Sequence, residues 1–347
     1  MPPEWAPHER TWMAWPVPNT TFTGGYLAEA RRAWAEVART VRRFEPVTMV
    51  VPPGGADEAR ALLGPGIDLA ERELDDAWMR DIGPTFVTDG TRLAAVDWVF
   101  NGWGGQEWAR WGQDARIARE VADLAGIPVH PSPLTNEGGG IHVDGEGTVL
   151  LTETVQLGPE RNPGWTREEV EAEIHARLGT TTAIWLRRGL TADYNGYGTL
   201  GHVDIVAAFA RPGVVVAHTQ PDPAHPDHAI CAENVALLRT RKDAAGRPLE
   251  VVELPAPTLL HDEDGGWADY SYINHYLCNG AVVLCAFGDP RDEEAARILG
   301  RLHPDREVVL VDARPIFAGG GGIHCITQQQ PRPWLPAPGP RSLAPRP

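Results

Sequence analysis

Apolar positions along the chain follow two different periods. From Leu27 to Phe44, Trp34, Val37, Val41 and Phe44 recur at three- and four-residue steps, and Arg31, Arg32 and Arg42 fall off that stripe. This is the spacing of a helix with one buried face. Ile117, Val121 and Leu124 repeat the step, as do Val170, Ile174 and Leu178 behind a capping-type "TREE" that starts at Thr166. Two more helices are expected over 228–239 and 291–303. Between these stretches lie short β-rich runs: "VTMVV" at 47, "LAAVDW" at 93, "TVLLT" at 148, "VDIVAAFA" at 203, "GVVVAH" at 213, "AVVLCAF" at 281 and "EVVLVD" at 307. Many are paired across Gly, Pro or Asp, as hairpins require. The pattern predicts an α/β chain in which strand pairs alternate with about one helix, around five times over.

No linker-like stretch interrupts the first 330 residues, so residues 1–330 read as one domain. Residues 331–347 differ, with seven prolines in seventeen positions. That tail is expected to be poorly ordered or draped on the surface. The repetition extends to short motifs. "GGGIH" occurs at Gly138–His142 and again at Gly320–His324, where Cys325 follows; in the first copy Val143 takes the place of the thiol. His142-Val143-Asp144 also recurs as His202-Val203-Asp204. Similar turns in successive units suggest a pseudo-symmetric array whose loops converge on one axis.

Composition narrows the function. The chain has 347 residues, 42% hydrophobic and 22% charged, as in a soluble globular protein. No apolar run approaches the roughly 18 residues of a membrane helix. The opening "MPPEWAPHERTWMAWP" lacks a charged start followed by an apolar core, so a cytoplasmic protein is expected. Its 47 acidic against 31 basic residues give a net charge of −16, which argues against nucleic acid or an anionic membrane as partner. The surplus acid favours a cationic ligand, or simply keeps the protein in solution. The four cysteines show no zinc-type spacing, and neither a disulfide framework nor a structural metal is expected. Cys231, Cys278 and Cys285 read as small buried hydrophobes.

Three stretches could carry chemistry. On a strand His202 and Asp204 would share a face, with Val203 turned into the core; His142 and Asp144 fit the same description. In "DDAWMRDIGP" (75–84), Arg80 either pairs with a neighbouring aspartate in a loop of solvated charges, or Trp78 and Asp81 form an aromatic wall and a carboxylate for a planar cation. Cys325 follows glycines that let a ligand approach the backbone. His324, as its strand neighbour, would face away, so the distant His202 is the better acid–base partner for the thiol. By the same alternation Val143 is expected to point inward like Cys325, and His142 and Asp144 away from the pocket.

Seven ordered motifs, "MPPEWAPHERTWMAWP", "DDAWMRDIGPTFV", "FNGWGG", "EGGGIHVDGEGTVLLTE", "GHVDIVAAF", "SYINHYLCNGAVVLCAFGDP" and "GGGGIHCITQQQP", together resemble the agmatine deiminase family. That family, with the bacterial type of peptidyl-arginine deiminase, belongs to the guanidine-modifying pentein superfamily. The resemblance implies a five-bladed α/β propeller of ββαβ units around a pseudo-fivefold axis, and a cofactor-free, metal-free cysteine hydrolase of a small guanidine cation. By motif match it makes Cys325 the nucleophile, His202 the general acid and base, and Asp81 and Asp204 the guanidinium anchors. Trp78, Asn274, Glu137, Gly320 and Gly321 would line the substrate. A homodimer is left open.

The chain departs from the family pattern in its first segment, where "VPNTTFTGGYL" replaces an arginine-containing run. It departs again at Asp269 and Tyr270, where small residues are usual. Both changes touch the part of a site that would hold the non-guanidinium end of a substrate. Guanidine hydrolysis is therefore a firmer expectation than agmatine itself; agmatine is expected first, with another arginine derivative, a small guanidine or peptidyl arginine as the alternative. A catalytically silent binder of cationic amines is the reading from another class.

Overall fold

The computed structural model describes residues 1–259, 261 and 265–333. The expected helical stripes form helices with little change of boundary: Gly24–Arg42, Ile117–Ala125, Arg167–Leu178, Asp227–Arg239 and Asp292–Leu302. Trp34, Val37 and Val41 of the first are fully buried, and Arg32 and Arg42 lie on its exposed face. Thr166 caps the third: its side chain accepts from the Glu169 amide, and Glu169 returns a bond to the Thr166 amide. An eight-residue helix at Ala56–Leu63 was not expected; its apolar stripe is too short to show a period.

Five sheets follow one plan. Thr85–Thr88 pairs antiparallel with Leu93–Val99, which pairs parallel with Val129–Thr135 across a helix. His142–Val143, Thr148–Thr152 and Thr182–Leu186 repeat the arrangement, followed by Ala207–Arg211, Val214–Thr219 and Glu250–Pro255, and then by Tyr276–Cys278, Ala281–Ala286 and Glu307–Asp312. Each is a ββαβ unit. The remaining sheet is assembled from distant parts of the chain: Gln328–Pro331 pairs antiparallel with His8–Ala14, which continues in parallel to Val47–Val51 and Asp68–Glu71. Pro331, assigned by composition to the tail, is thus a buried strand residue opposite His8. The rest of the expected tail, from 334 onward, lies outside the described residues.

Apolar burial follows the units. One cluster joins Trp34 and the first helix to the sheets containing Met13 and Val283, a second lies under Phe209, and a third joins Val96 and Trp98 to Val149 and Leu151. Val143 belongs to the third cluster. The expectation that it would face where Cys325 faces is corrected: Val143 is paired in a strand with Val149, whereas Cys325 sits in a turn ahead of its strand. Strand alternation relates the two positions only if both are strands. No helix among the described residues is long and apolar enough to cross a membrane.

Candidate active site

The segment just ahead of each unit's first strand is a turn, and the five turns meet. Asp81 lies in a one-turn helix, Met79–Ile82, before Thr85; Glu137 precedes the Gly138–Gly140 turn before His142. His202 caps a tight turn, Val203–Ile205, that holds Asp204 before Ala207; Asn274 precedes Tyr276, and Cys325 precedes Gln328. All of these side chains are buried. His202 and Asp204 do face one region, as expected, but through a 3₁₀ turn and not through strand alternation.

The Cys325 sulfur receives the Asn274 Nδ2 hydrogen at 3.2 Å and lies 3.6 Å from Asp204 Oδ2. Asn274 Oδ1 accepts from the amides of His324 and Cys325 and fixes the turn that carries the thiol. Asp81 Oδ1 accepts from the Gly139 amide at 3.0 Å, and its Oδ2 from Trp103 Nε1 at 2.9 Å. His202 Nε2 is 3.2 Å from Glu137 Oε2, and Arg161 Nε holds both Glu137 oxygens at 2.9 Å. His202 Nδ1 and Asp204 Oδ1 are buried without a hydrogen-bond partner, as are Arg161 Nη1 and Arg80 Nη2.

Glycine makes this convergence possible. A side-chain carbon on Gly139 would lie 2.5 Å from His202 Nδ1 and 3.0 Å from both Asp204 Oδ2 and Asp81 Oδ1. On Gly321 it would meet the Trp78 ring at 2.9 Å and the Cys325 sulfur at 3.0 Å. Gly320, with φ of +106°, lies against the Tyr197 carbonyl and on the wall of a cavity of about 640 Å³. That cavity also carries Tyr197, Trp267, Tyr270, Glu29, Asp269 and Asp312, with Arg314 ion-paired to Asp312. Trp78 stacks on Phe22 and meets Trp34 edge-on, so its ring is fixed by the core.

Charges are tightly coupled here. Burial opposes charge on His202, but Asp81, Glu137 and Asp204 outweigh it and raise the imidazole to about 9. Burial pushes the Cys325 thiol well above its ordinary value, and Asp204 and Asp81 push it higher still. Asp81 is raised by burial and by Asp204 and Glu137, against the pull of His202. Asp204 and Glu137 stay below the usual carboxylate range despite burial, held by His324 and His202 in one case and by Arg161 and His202 in the other.

Several participants were not visible in the sequence. Arg80 makes no pair with its aspartate neighbours: it donates to the His324 carbonyl and to Gln329 Oε1, and Nη2 stands 3.8 Å from Glu4 Oε2. Glu4 and Trp103 lie in motifs already noted, but only their contacts show what they do; Trp103 holds a strained φ of 56° while bonding Asp81. Arg161 gave no signal. Glu4, His142 and His324 bring three donor atoms within 4.8 Å of one another. The set does not suit a cation. His142 Nδ1 accepts from the Phe209 amide, so its proton is on Nε2, and both His324 nitrogens are engaged by carboxylates. Asp144 points away, as expected, accepting from the amides of Glu146 and Thr148.

Repeated ββαβ units with a thiol, an imidazole and carboxylates buried where their turns meet, together with solved agmatine deiminases of the same fold, define a guanidine-modifying hydrolase. The chain belongs to the Porphyromonas-type peptidyl-arginine deiminase family, whose model matches residues 1–331. It is 76% identical to a Streptomyces coelicolor protein provisionally named an agmatine deiminase, over 96% of this chain and 98% of that one. It is 41% identical to the agmatine deiminase of Stutzerimonas stutzeri, over 96% of each chain. The solved agmatine deiminase of Enterococcus faecalis is 32% identical and superposes with a TM-score of 0.91 over 96% of both chains.

Proposed function

We propose that this chain hydrolyses agmatine to N-carbamoylputrescine and ammonia through a covalent adduct on Cys325. One observation carries the reading: the partnerless His202 Nδ1 stands with Asp204 Oδ2 and Asp81 Oδ1 around the space beneath Gly139, and Asp204 Oδ2 lies beside the Cys325 sulfur. A planar cation with several N–H donors supplies what these atoms lack.

Charge decides the order of events. Glu4, Glu137, Asp81 and Asp204 face Arg80, Arg161, His202 and His324, four acids against four bases. A guanidinium adds one positive charge, and loss of the thiol proton to solvent cancels it. Substrate binding therefore lowers the cost of forming the thiolate. The thiolate attacks the guanidinium carbon, and its electron pair forms the S–C bond. His202, charged at neutral pH, gives its proton to the departing nitrogen, and the C–N bond breaks to release ammonia. His202, now neutral, takes a proton from water. The hydroxide adds to the adduct carbon, and as the C–S bond breaks its electron pair leaves on sulfur and takes the added hydroxyl's proton, giving the ureido product and the free thiol. Asp81 and Asp204 hold the remaining nitrogens throughout.

The acidic wall of the cavity beyond Gly320, with Arg314 already paired, favours an ammonium tail over the carboxylate of free arginine. Turns that place Asp81, Glu137, Asp204, Asn274 and Cys325 equivalently in their units support a closed five-bladed α/β propeller with a pseudo-fivefold axis through the site. In this reading residues 1–331 form one cytoplasmic catalytic domain, its partner is a small guanidine, and neither nucleic acid nor a membrane surface is engaged.

The test is ammonia release from agmatine, free arginine, blocked arginine peptides and small guanidines. Agmatine should be the best substrate, with N-carbamoylputrescine identified by mass. Saturable agmatine binding without ammonia would leave a silent amine-binding protein in place of an enzyme.

A further inference from the structure

His324 precedes the thiol in sequence but makes no bond to it. Its Nδ1 lies 2.7 Å from Asp204 Oδ2 and its Nε2 lies 2.9 Å from Glu4 Oε2. An imidazole with a carboxylate on each nitrogen donates from both, so it is an imidazolium. All three residues are buried. Glu4 is itself anchored, its Oε1 accepting from the Leu277 amide at 2.7 Å. The Arg80 Nε bond to the His324 carbonyl and the Asn274 bond to its amide fix the backbone on either side. The other titratable groups near the ring are Arg80, His142 and His275, and His142 sits 6.2 Å away ring to ring.

The consequence is an asymmetry in Asp204. Oδ2 is taken by His324 and also faces the thiol and the space beneath Gly139, and Oδ1 has no partner. We propose that His324 is a positioning residue of the guanidinium site: lodged between Glu4 and Asp204, it holds Oδ2 and so keeps the Asp204 carboxylate ionised and fixed beside the thiol and the space beneath Gly139 where the substrate cation lies. Glu4 acts through His324 by keeping the ring charged and oriented. Burial works against Asp204 as an anion, and His324 is the first of the partners that reverse this. Without the ring, burial pushes the Asp204 carboxyl up, it turns freely, and the site loses its hold on a cation.

This inference rests on the deiminase reading, and its test separates the two. Cys325 is alkylated at pH 7.5 with 2-chloroacetamidine, a cation shaped like the substrate's head, and in parallel with neutral iodoacetamide. The wild-type chain should react faster with the amidine and release ammonia from agmatine; if it does neither, both readings fall together. In His324→Gln the ratio of amidine to acetamide rates should collapse towards one. Its kcat/KM for agmatine should drop about 10- to 100-fold, as for other outer partners of a site ligand, and recover in part as pH is raised to ionise Asp204. A lower but proportionate activity, with wild-type ratio and pH profile, would overturn the inference and leave the deiminase reading standing. Should His324→Gln not fold, Glu4→Gln carries the same test with the same readouts. Where both fold, the double variant should be no worse than His324→Gln alone; losses that multiply would also overturn it.

Discussion

Cys325 Sγ and Asp204 Oδ2 lie 3.6 Å apart, so the thiol and the carboxylate that faces the substrate space share a contact. The carboxylate attracts the substrate and opposes the thiolate, and these two effects can be separated. Asp204→Asn should cost roughly 2–5 kcal/mol in transition-state stabilisation for agmatine, read from kcat/KM. In the same variant, alkylation of Cys325 by neutral iodoacetamide at pH 7 should become faster, because a negative neighbour of the thiol is gone. Slower alkylation would mean that Asp204 does not keep the thiol protonated.

Cys325→Ser should abolish turnover with an unchanged circular dichroism spectrum, because a hydroxyl at its ordinary pKa cannot replace a thiolate. A serine variant with near wild-type ammonia release would rule out covalent catalysis at this position.

His202 and His142 belong to repeated triplets but occupy different surroundings. His202 has an imidazole raised to about 9 and an unpaired nitrogen towards Asp81, whereas burial holds His142 near 3, neutral and hydrogen-bonded to the Phe209 amide. His202→Ala should nearly eliminate turnover. His142→Ala should lower stability or kcat moderately and still permit labelling of Cys325. Greater loss of activity in the second variant would reverse the assignment.

Much of the architecture was legible from periodicity. All five expected helices formed, and the strand runs at 47, 93, 148, 213, 281 and 307 form strands. The run at 203 became a strand only from Ala207. Periodicity reports a strand only where a ladder partner enforces the pleat, and the turns that carry His202, Asp204, His324 and Cys325 have none. His324 makes no bond to the thiol, but strand alternation missed what the ring holds, the Asp204 oxygen that touches the sulfur. Glu4 could not have been placed at all. Its bond to His324 spans 320 residues, and no local pattern encodes such a contact.

Gly139→Ala tests the shape of the site with little change in chemistry. The added methyl falls between His202, Asp204 and Asp81, the space given to the guanidinium. Amidine labelling and turnover should fall together by at least about tenfold, a modest 1.4 kcal/mol. Wild-type kcat/KM in a folded Gly139→Ala variant would place the substrate elsewhere.

Asp76 provides a test through stability. It is buried near Asp75 and Asp114, and burial raises its carboxyl to about 7. The folded state therefore binds a proton that the unfolded chain, with an ordinary aspartate near 3.9, has already released. Stability should decrease as pH rises from about 4 through 7. Asp76→Asn should reduce that dependence, to which the raised carboxyl of Asp114 also contributes, and raise Tm by about 2–4 °C at pH 8, with little change at pH 4.5. An equal shift at both pH values would show that Asp76 is not protonated in the fold.

The sheet made by Gln328–Pro331 and His8–Ala14 has a consequence for how the protein comes into being. The thiol lies three residues before the late strand, and Glu4 lies four before the early one. During synthesis the early strand waits for some three hundred residues to be added before its neighbour emerges. Until those strands join, Cys325, His324 and Glu4 cannot meet, whatever else has folded. A nascent chain, or one cut before Gln328–Pro331, therefore lacks the sheet that brings the thiol, His324 and Glu4 together.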